Sequence, residues 1–232
     1  SVGVGGAGAN LNEFTVTNAD MTVVTNCPPA QNGGDSTAFG IAAVGGGAGG
    51  GAVVGVYQLS PLKYTFSYVG GDGGSGGGGA SCTSWGAGGK GLVEIGAGTT
   101  NDGAAAYRVN GVDYAGGGGG GASGAGVRYV PASADVEEVP PFGGEGIVSS
   151  ISGEPVEYGR GGSGGRVVGG SNNHGADGVA GTGAGGGGAS AKKDNTTWRS
   201  VLGALHSGGN GASGIVIVRY PAKAAGLMLL LR

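Results

Sequence analysis

The sequence predicts an all-β protein: short strands forming a sheet or sandwich scaffold with a glycine-rich lobe of extended, polyproline II-like polyglycine segments, and almost no helix. Three observations carry this expectation. Glycine supplies 63 of 232 residues, whereas charged residues make up 12% and aromatic residues 6%. The glycines fall in tracts spread through the whole chain, not gathered in one linker. Between the tracts recur short runs of β-branched and aromatic residues with a period of two or none, the pattern of strands.

Glycine content by itself points toward disorder, because each glycine loses the most backbone freedom on folding and brings no side chain to bury. The interleaved apolar runs and the scarcity of charge argue for order instead. The tracts run over 45–51, 70–79, 86–91, 116–126, 161–165 and 183–188. Collagen is excluded, since the unbroken run Gly116 to Gly121 has no Gly-X-Y period and proline numbers only 8. Flexible linkers do not call for so many separate tracts. An extended polyproline II segment makes no internal hydrogen bonds, and when built of glycine nothing holds its neighbours apart. Packed side by side, such segments bond laterally in more than one direction and pair the backbone groups that burial requires to be paired.

The strand-like runs follow in order: Glu13-Phe14-Thr15-Val16-Thr17, Met21-Thr22-Val23-Val24-Thr25, Phe39-Gly40-Ile41-Ala42-Ala43-Val44, Tyr64-Thr65-Phe66-Ser67-Tyr68-Val69, Gly146-Ile147-Val148-Ser149-Ser150-Ile151 and Ile215-Val216-Ile217-Val218-Arg219-Tyr220. Tyr64, Phe66 and Tyr68 share one face, as in a half-buried strand. Ile215 to Val218 is apolar on both faces, which predicts a central strand over 215–220. Turns are expected at Asn32-Gly33, Asn110-Gly111 and Asn210-Gly211, where both residues tolerate positive φ. Only Thr197 to His206 has a helical look, and for one or two turns at most. The organisation predicted is an N-terminal strand region over 1–44, a glycine-rich domain over 45–222 ending in the 215–220 strand, and an apolar tail over 223–232. The tail's Leu227-Met228-Leu229-Leu230-Leu231 is too short to cross a bilayer and is expected to pack against a neighbouring subunit, as an interface, or against the chain's own body, with no membrane insertion.

Chemistry is sparse. A net charge of −3 with no run of Lys or Arg gives no expectation of a nucleic-acid partner. Gly86-Ala87-Gly88-Gly89-Lys90-Gly91 fits a dinucleotide pattern only as glycine-rich chance would, and Lys90 is followed by Gly91 where a phosphate loop needs Ser or Thr. No cofactor is expected. Asp72, Asp102, Asp113, Asp177 and Asp194 stand near glycines but not in a calcium repeat, and are read as turn formers, so no metal is expected either. His174 and His206 are isolated, and the adjacent Glu137 and Glu138 point apart in an extended loop. These residues offer no acid/base team, and the chain is read as non-enzymatic. Cys27 and Cys82 lack metal-binding spacing, which leaves both a disulfide and two free thiols open.

Large amphipathic side chains are the candidates for contact with another molecule: Trp85, Arg128, Tyr129, Phe142, Trp198, Arg199 and His206. For the two tryptophans, plugging gaps between glycine lobe and strands is the stronger reading. For the loop 127–142, rich in proline, charge and aromatic residues, contact is.

Certain runs carry a resemblance when taken in order. An apolar strand enters glycines at Ile41-Ala42-Ala43-Val44-Gly45-Gly46-Gly47, and another closes at Tyr64-Thr65-Phe66-Ser67-Tyr68-Val69-Gly70-Gly71. Asp113-Tyr114-Ala115 precedes six glycines, Ser149-Ser150-Ile151-Ser152-Gly153-Glu154-Pro155-Val156-Glu157-Tyr158-Gly159 follows, and Gly211-Ala212-Ser213-Gly214-Ile215-Val216-Ile217-Val218-Arg219-Tyr220-Pro221 closes the series. This order resembles a family of glycine-rich domains of phage tail and fibre proteins and bacterial surface proteins. More distantly it is similar to the tip adhesins of T-even-like phage long tail fibres, in which variable loops on a polyglycine II sandwich touch the bacterial receptor. The resemblance implies an extracellular or virion-surface protein that presents loops for host attachment. Its partners would be a bacterial surface protein or glycan, other fibre or virion subunits, and further copies of itself. The alternative it leaves is a purely structural fibre, capsid-decoration or extracellular matrix protein. The segment 127–142 departs from the family pattern as an insertion.

Overall fold

The computed structural model describes residues 16–17, 23–24, 30–53, 69–81, 86–92, 101–109, 113–166, 174–190 and 205–219. Among these residues there is no helix, and strand structure is short and antiparallel throughout. The strands are β1 (Val16–Thr17), β2 (Val23–Val24), β3 (Ser36–Ala38), β4 (Ile41–Ala43), β5 (Ala52–Val53), β6 (Tyr107–Val109), β7 (Asp113–Ala115), β8 (Ile147–Ser149), β9 (Val156–Tyr158) and β10 (Leu205–His206). They pair two by two, β1 with β2, β3 with β4, β5 with β10, β6 with β7 and β8 with β9. The mostly-β expectation therefore holds, with small separate ladders in place of one large sheet.

The hairpin of β3 and β4 shows how local chemistry sets one ladder. Ala38 pairs with Ile41 across the two residues Phe39 and Gly40, whose φ angles are 53° and 78°. Two consecutive left-handed residues make the primed turn whose twist matches a strand pair. Gly40 adopts it freely, while Phe39 adopts it as an aromatic residue and stands 86% exposed at the tip.

Most of the buried chain is not in strands. The tracts cross the body as extended segments whose amides bond to other tracts. The segment 75–81 makes the pattern plain. Gly76 and Gly79 donate to the carbonyls of Asn101 and Ala104, and their own carbonyls accept from Gly120 and Gly117. Gly77 donates to Gly71 and accepts from Gly89, and Gly78 donates to Gly186 and accepts from Gly50. The same partner segment recurs every third residue, and successive residues turn to different neighbours. Among the described residues, this one tract is bonded to the segments holding Gly50, Gly71, Gly89, Asn101, Gly120 and Gly186. The buried side chains here are small: Ala80, Ala106, Ala115, Ala184 and Ala189 are fully enclosed, and among the described residues Tyr129 is the one large buried hydrophobic.

Register also fixes direction. The pairs 76 with 101 and 79 with 104 run parallel, whereas 76 with 120 and 79 with 117 run antiparallel. Crossings therefore alternate, and the connections between them alternate between two ends of the body. At one end lie the β3–β4 hairpin and the β8–β9 hairpin, with turns near 74–75, 121–124 and 179–183. At the other lie the β6–β7 hairpin, the loop 127–142, and the paired residues Ala52 with His206 and Ser81 with Ser190.

Several expectations are corrected. Residues 215–219 form no strand and pair with none of the described residues, and Ile215 and Val218 are exposed. The reason is position: Gly214 donates to Gly34 and accepts the Ser36 hydroxyl at the border of the packed segments, and the chain then passes beyond it. His206, expected at the end of a helical turn, is in β10 instead. Asn32-Gly33 and Asn210-Gly211 are not turns but parts of crossing segments. The side chain of Asn32 accepts the Ala48 amide at 2.7 Å, and that of Asn210 accepts the Gln31 amide at 2.9 Å. At the border an asparagine side chain supplies the amide group that a further glycine tract would have supplied. Asn110-Gly111, residues 64–68, the tail over 223–232 and most of 1–29 lie outside the described residues.

Candidate functional site

The end that carries the β6–β7 hairpin gathers most of the described aromatic and basic side chains. Its most prominent element is the segment 127–142, which is itself hairpin-like. Val130 and Val139 exchange hydrogen bonds at 2.9 Å, Ser133 and Val136 bond across the tip, and the Val127 amide donates to the Phe142 carbonyl at 2.9 Å. Backbone alternation across these pairs puts Tyr129 and Glu138 on one face and Arg128, Val130 and Val139 on the other.

The inward face anchors the element. Tyr129 is 6% exposed, with its ring edge-on to Tyr107 at 5.8 Å between centroids. The Arg166 guanidinium lies 5.6 Å from the Tyr129 ring centroid and forms an ion pair with Glu138. Tyr129 is thus a packing residue of the loop base and not an exposed contact, because alternation turns it into the body. On the opposite face Arg128 is exposed with its guanidinium 4.8 Å from the Tyr107 ring centroid. Phe142, where the loop rejoins the body, is 54% exposed. Glu137 is exposed while Glu138 is held by Arg166, so the adjacent pair does point apart.

His206 and His174, 32 positions apart in the chain, come together at this end with rings 5.0 Å apart and nearly perpendicular. The Ser207 amide donates to Nδ1 of His174 at 3.1 Å. Sequence spacing gave no signal for this pair; only the adjacency of two crossing segments, through Gly175 donating to Ser207, creates it. Burial, and secondarily the charge of His174, hold His206 below the ordinary histidine value of 6.5. The unfolded chain then takes up the proton first. Stability contributed by the neutral ring is complete above 6.5 and declines as the pH falls past it. Urea midpoints measured on either side of that pH are expected to show this slope, and His206→Gln is expected to flatten it.

Elsewhere the charged residues serve the backbone. Asp72 accepts the Lys90 amide at 2.6 Å, Asp102 the Gly91 amide at 2.9 Å, and Asp177 the Asn210 amide at 2.6 Å. These three aspartates pair amides of neighbouring segments at the border, which is more specific than the turn role expected of them. Lys90 lies 2.7 Å from Asp102; this hydrogen bond and the Gly91 amide lower the Asp102 carboxyl, and the same bond raises the Lys90 amine. Arg160 bonds both oxygens of Glu157 at 3.0 Å and lowers its carboxyl. Among the described residues no group of three or more His, Cys, Asp or Glu is placed to share a metal ion.

Trp85, Trp198, Arg199, Cys27 and Cys82 lie outside the described residues. The residues flanking the segments that hold the tryptophans, Ser81 with Gly86 and Ser190 with Leu205, are at the same end as Arg128, since Ser81 bridges Ser190 and its hydroxyl donates to the Tyr107 carbonyl. Set beside protein-family models, curated proteins and solved structures, the chain matches none of them.

Proposed function

We propose that this chain is a non-enzymatic component of a phage or phage-like fibre, a tip module whose loops recognise a receptor on a bacterial surface, and that its tracts form a polyglycine II lobe. For the lobe, the support is the period of three in the hydrogen bonds of segment 75–81 and their spread over several neighbours. A polyproline II strand has three residues per turn, so its amides point successively in three directions.

For recognition, the observation that carries the reading is the loop 127–142: an anchored hairpin with Arg128 and Phe142 exposed beside a body made of small residues. A fixed loop spends little ordering entropy on binding, and arginine and aromatic residues dominate binding energy where they are buried by a partner. Several copies on one fibre would add avidity to weak single sites.

Excising 128–141 and closing Val127 to Phe142 with an Asn-Gly turn tests this. Binding of the labelled protein to a panel of bacterial strains is expected to be lost, while assembly and thermal stability remain. Unchanged cell binding would instead favour a purely structural role. One feature favours attachment to other subunits through the opposite end, namely the exposed Phe39 at the β3–β4 tip and Val148 in β8, the latter 66% exposed.

A further inference from the structure

Resting on the reading of the end opposite the 127–142 loop as the attachment end, we infer that its partner is a second copy of this chain. The two copies pair residues 215–218 antiparallel. Ile215-Val216-Ile217-Val218 is four β-branched apolar residues in a row, a strong strand signal. In the structure the run has no turn or bend, makes no backbone hydrogen bond with any described residue, and none of the four is buried. A strand-forming run with its backbone open and neither face covered is a template for another strand. Antiparallel pairing of a segment with its own copy is closed by a twofold axis, so the contact ends at two chains and does not grow into a filament.

The surroundings of the run supply the rest of the contact. The Gly183 amide donates to the Ser213 carbonyl, the Gly214 amide to the Gly34 carbonyl and the Ser36 hydroxyl to the Gly214 carbonyl. Ile215 therefore starts between the 179–183 turn and the β3–β4 hairpin. The Val179 amide donates in turn to the Arg160 carbonyl, two residues past the end of β9. Along this line Phe39, Ile147, Val148, Val179, Ile215 and Val218 are all exposed, Phe39 by 86%. They present on the order of 600 Å², to which the open backbone of 215–219 adds, against the roughly 800 Å² that each partner gives to a standard interface. Phe39 also has φ of 53°, a conformation that suits asparagine or glycine, so an aromatic ring is kept at that tip at a cost to the turn.

Charge fits a second copy as well. Lys90, Arg160 and Arg166 each hold a carboxylate, whereas Arg128, at the loop end, and Arg219, directly after the run, hold none among the described residues. Glu145 and Glu154 are exposed at the same end as Arg219 and hold no cation among the described residues. Across a twofold contact the cation of each copy meets the patch that carries the acids of the other, so one surface answers both signs. Contact here leaves the 127–142 loop of both copies open, because the loop is at the other end.

Light scattering coupled to gel filtration, on the whole protein over a range of concentrations, tests this. A mass of twice the 21.7 kDa of one chain is expected, and a monomer at every concentration overturns the interface. The double variant Val216→Pro/Ile217→Pro removes two successive amides, one of which faces the partner strand, and is expected to raise the dimer Kd about a hundredfold. Neither amide is bonded within the described chain, so the variant is expected to keep the wild-type circular dichroism spectrum. Phe39→Asn gives the turn its preferred residue and is expected to raise Kd about tenfold with the fold intact. A dimer that neither variant weakens overturns the pairing, and so does a mass of three or more chains. A monomer that dimerises only after 223–232 is removed shows the chain's own tail in the partner's place and overturns it too. The protein with 128–141 excised is expected to stay dimeric whatever its cell binding, so host recognition and this interface fail separately. Dissociation on that excision overturns the assignment to this end.

Discussion

Replacing Gly78 with alanine is expected to destabilise the protein by about 4 kcal/mol, seen as a fall in Tm of about 10 °C. The methyl group would run into the carbonyl oxygen of Gly117, with the Gly188 nitrogen 2.8 Å away. Neither neighbour can yield alone. Gly117 donates to Gly79, and Gly188 donates to Gly117, so moving one strand breaks the bonds of the next. Gly78 itself cannot shift without losing its bonds to Gly186 and from Gly50, both 2.8 Å. The cost adds overpacking, which a flexible side chain usually relieves, to buried amides left without partners. Gly124→Ala is the control. Its methyl group would find the Glu145 nitrogen at 3.3 Å and little else, and the expected change is within about 1 kcal/mol. Thermal melts of both variants against wild type check the contrast.

Tyr129→Ala is expected to cost about 3 kcal/mol, and its effect falls on the loop 127–142 before the body. Removing the ring takes away the edge-on partner of Tyr107 and the surface under Arg166, and leaves the Glu138–Arg166 pair beside a cavity. The loop holds itself by few bonds of its own, chiefly the two between Val130 and Val139 and the one from Val127 to Phe142. Hydrogen exchange at the Val130 and Val139 amides is therefore expected to accelerate more than exchange at Gly78 or Gly118. Cell binding is expected to fall alongside it. Tyr129→Phe keeps the ring and is expected to stay within about 1 kcal/mol of wild type. Equal acceleration at Gly78 would show that the ring supports the whole body and not the loop.

The residues that made these effects legible in the sequence differ from those that did not. β-Branched and aromatic runs bounded by glycine, asparagine or aspartate marked Val16-Thr17, Val23-Val24, Ile41 to Ala43 and Ile147 to Ser149 as strand, because local periodicity is enough for a short antiparallel pair. The same rule failed at 215–219, where burial depends on which segments remain alongside, and nothing in five residues encodes that. Asn-Gly read as a turn fails at Asn32 and Asn210 for a related reason: in a body held by lateral bonds, an amide side chain is as useful for pairing a bordering strand as for bending its own. Phe142 and Arg128 were visible as candidate contacts from residue type, whereas the burial of Tyr129 needed the pairing of Val130 with Val139 to fix which face turns inward. The meeting of His174 with His206 could not be seen at all without knowing that their segments are neighbours.

The bonds of segment 75–81 bear on how the molecule is made. Its partners come from chain positions as early as Gly47 and as late as Ala189, and Gly211 donates to Gln31 at the border. A nascent chain that has reached the middle of the sequence holds this tract with only part of its partners in existence, and among the described residues there is no helix or large sheet for it to wait in. The body can close only when its late crossings arrive, so folding is a single slow event dominated by distant encounters. Until then glycine leaves the chain little apolar surface with which to aggregate, and the composition that delays the native state also protects the chain while it waits.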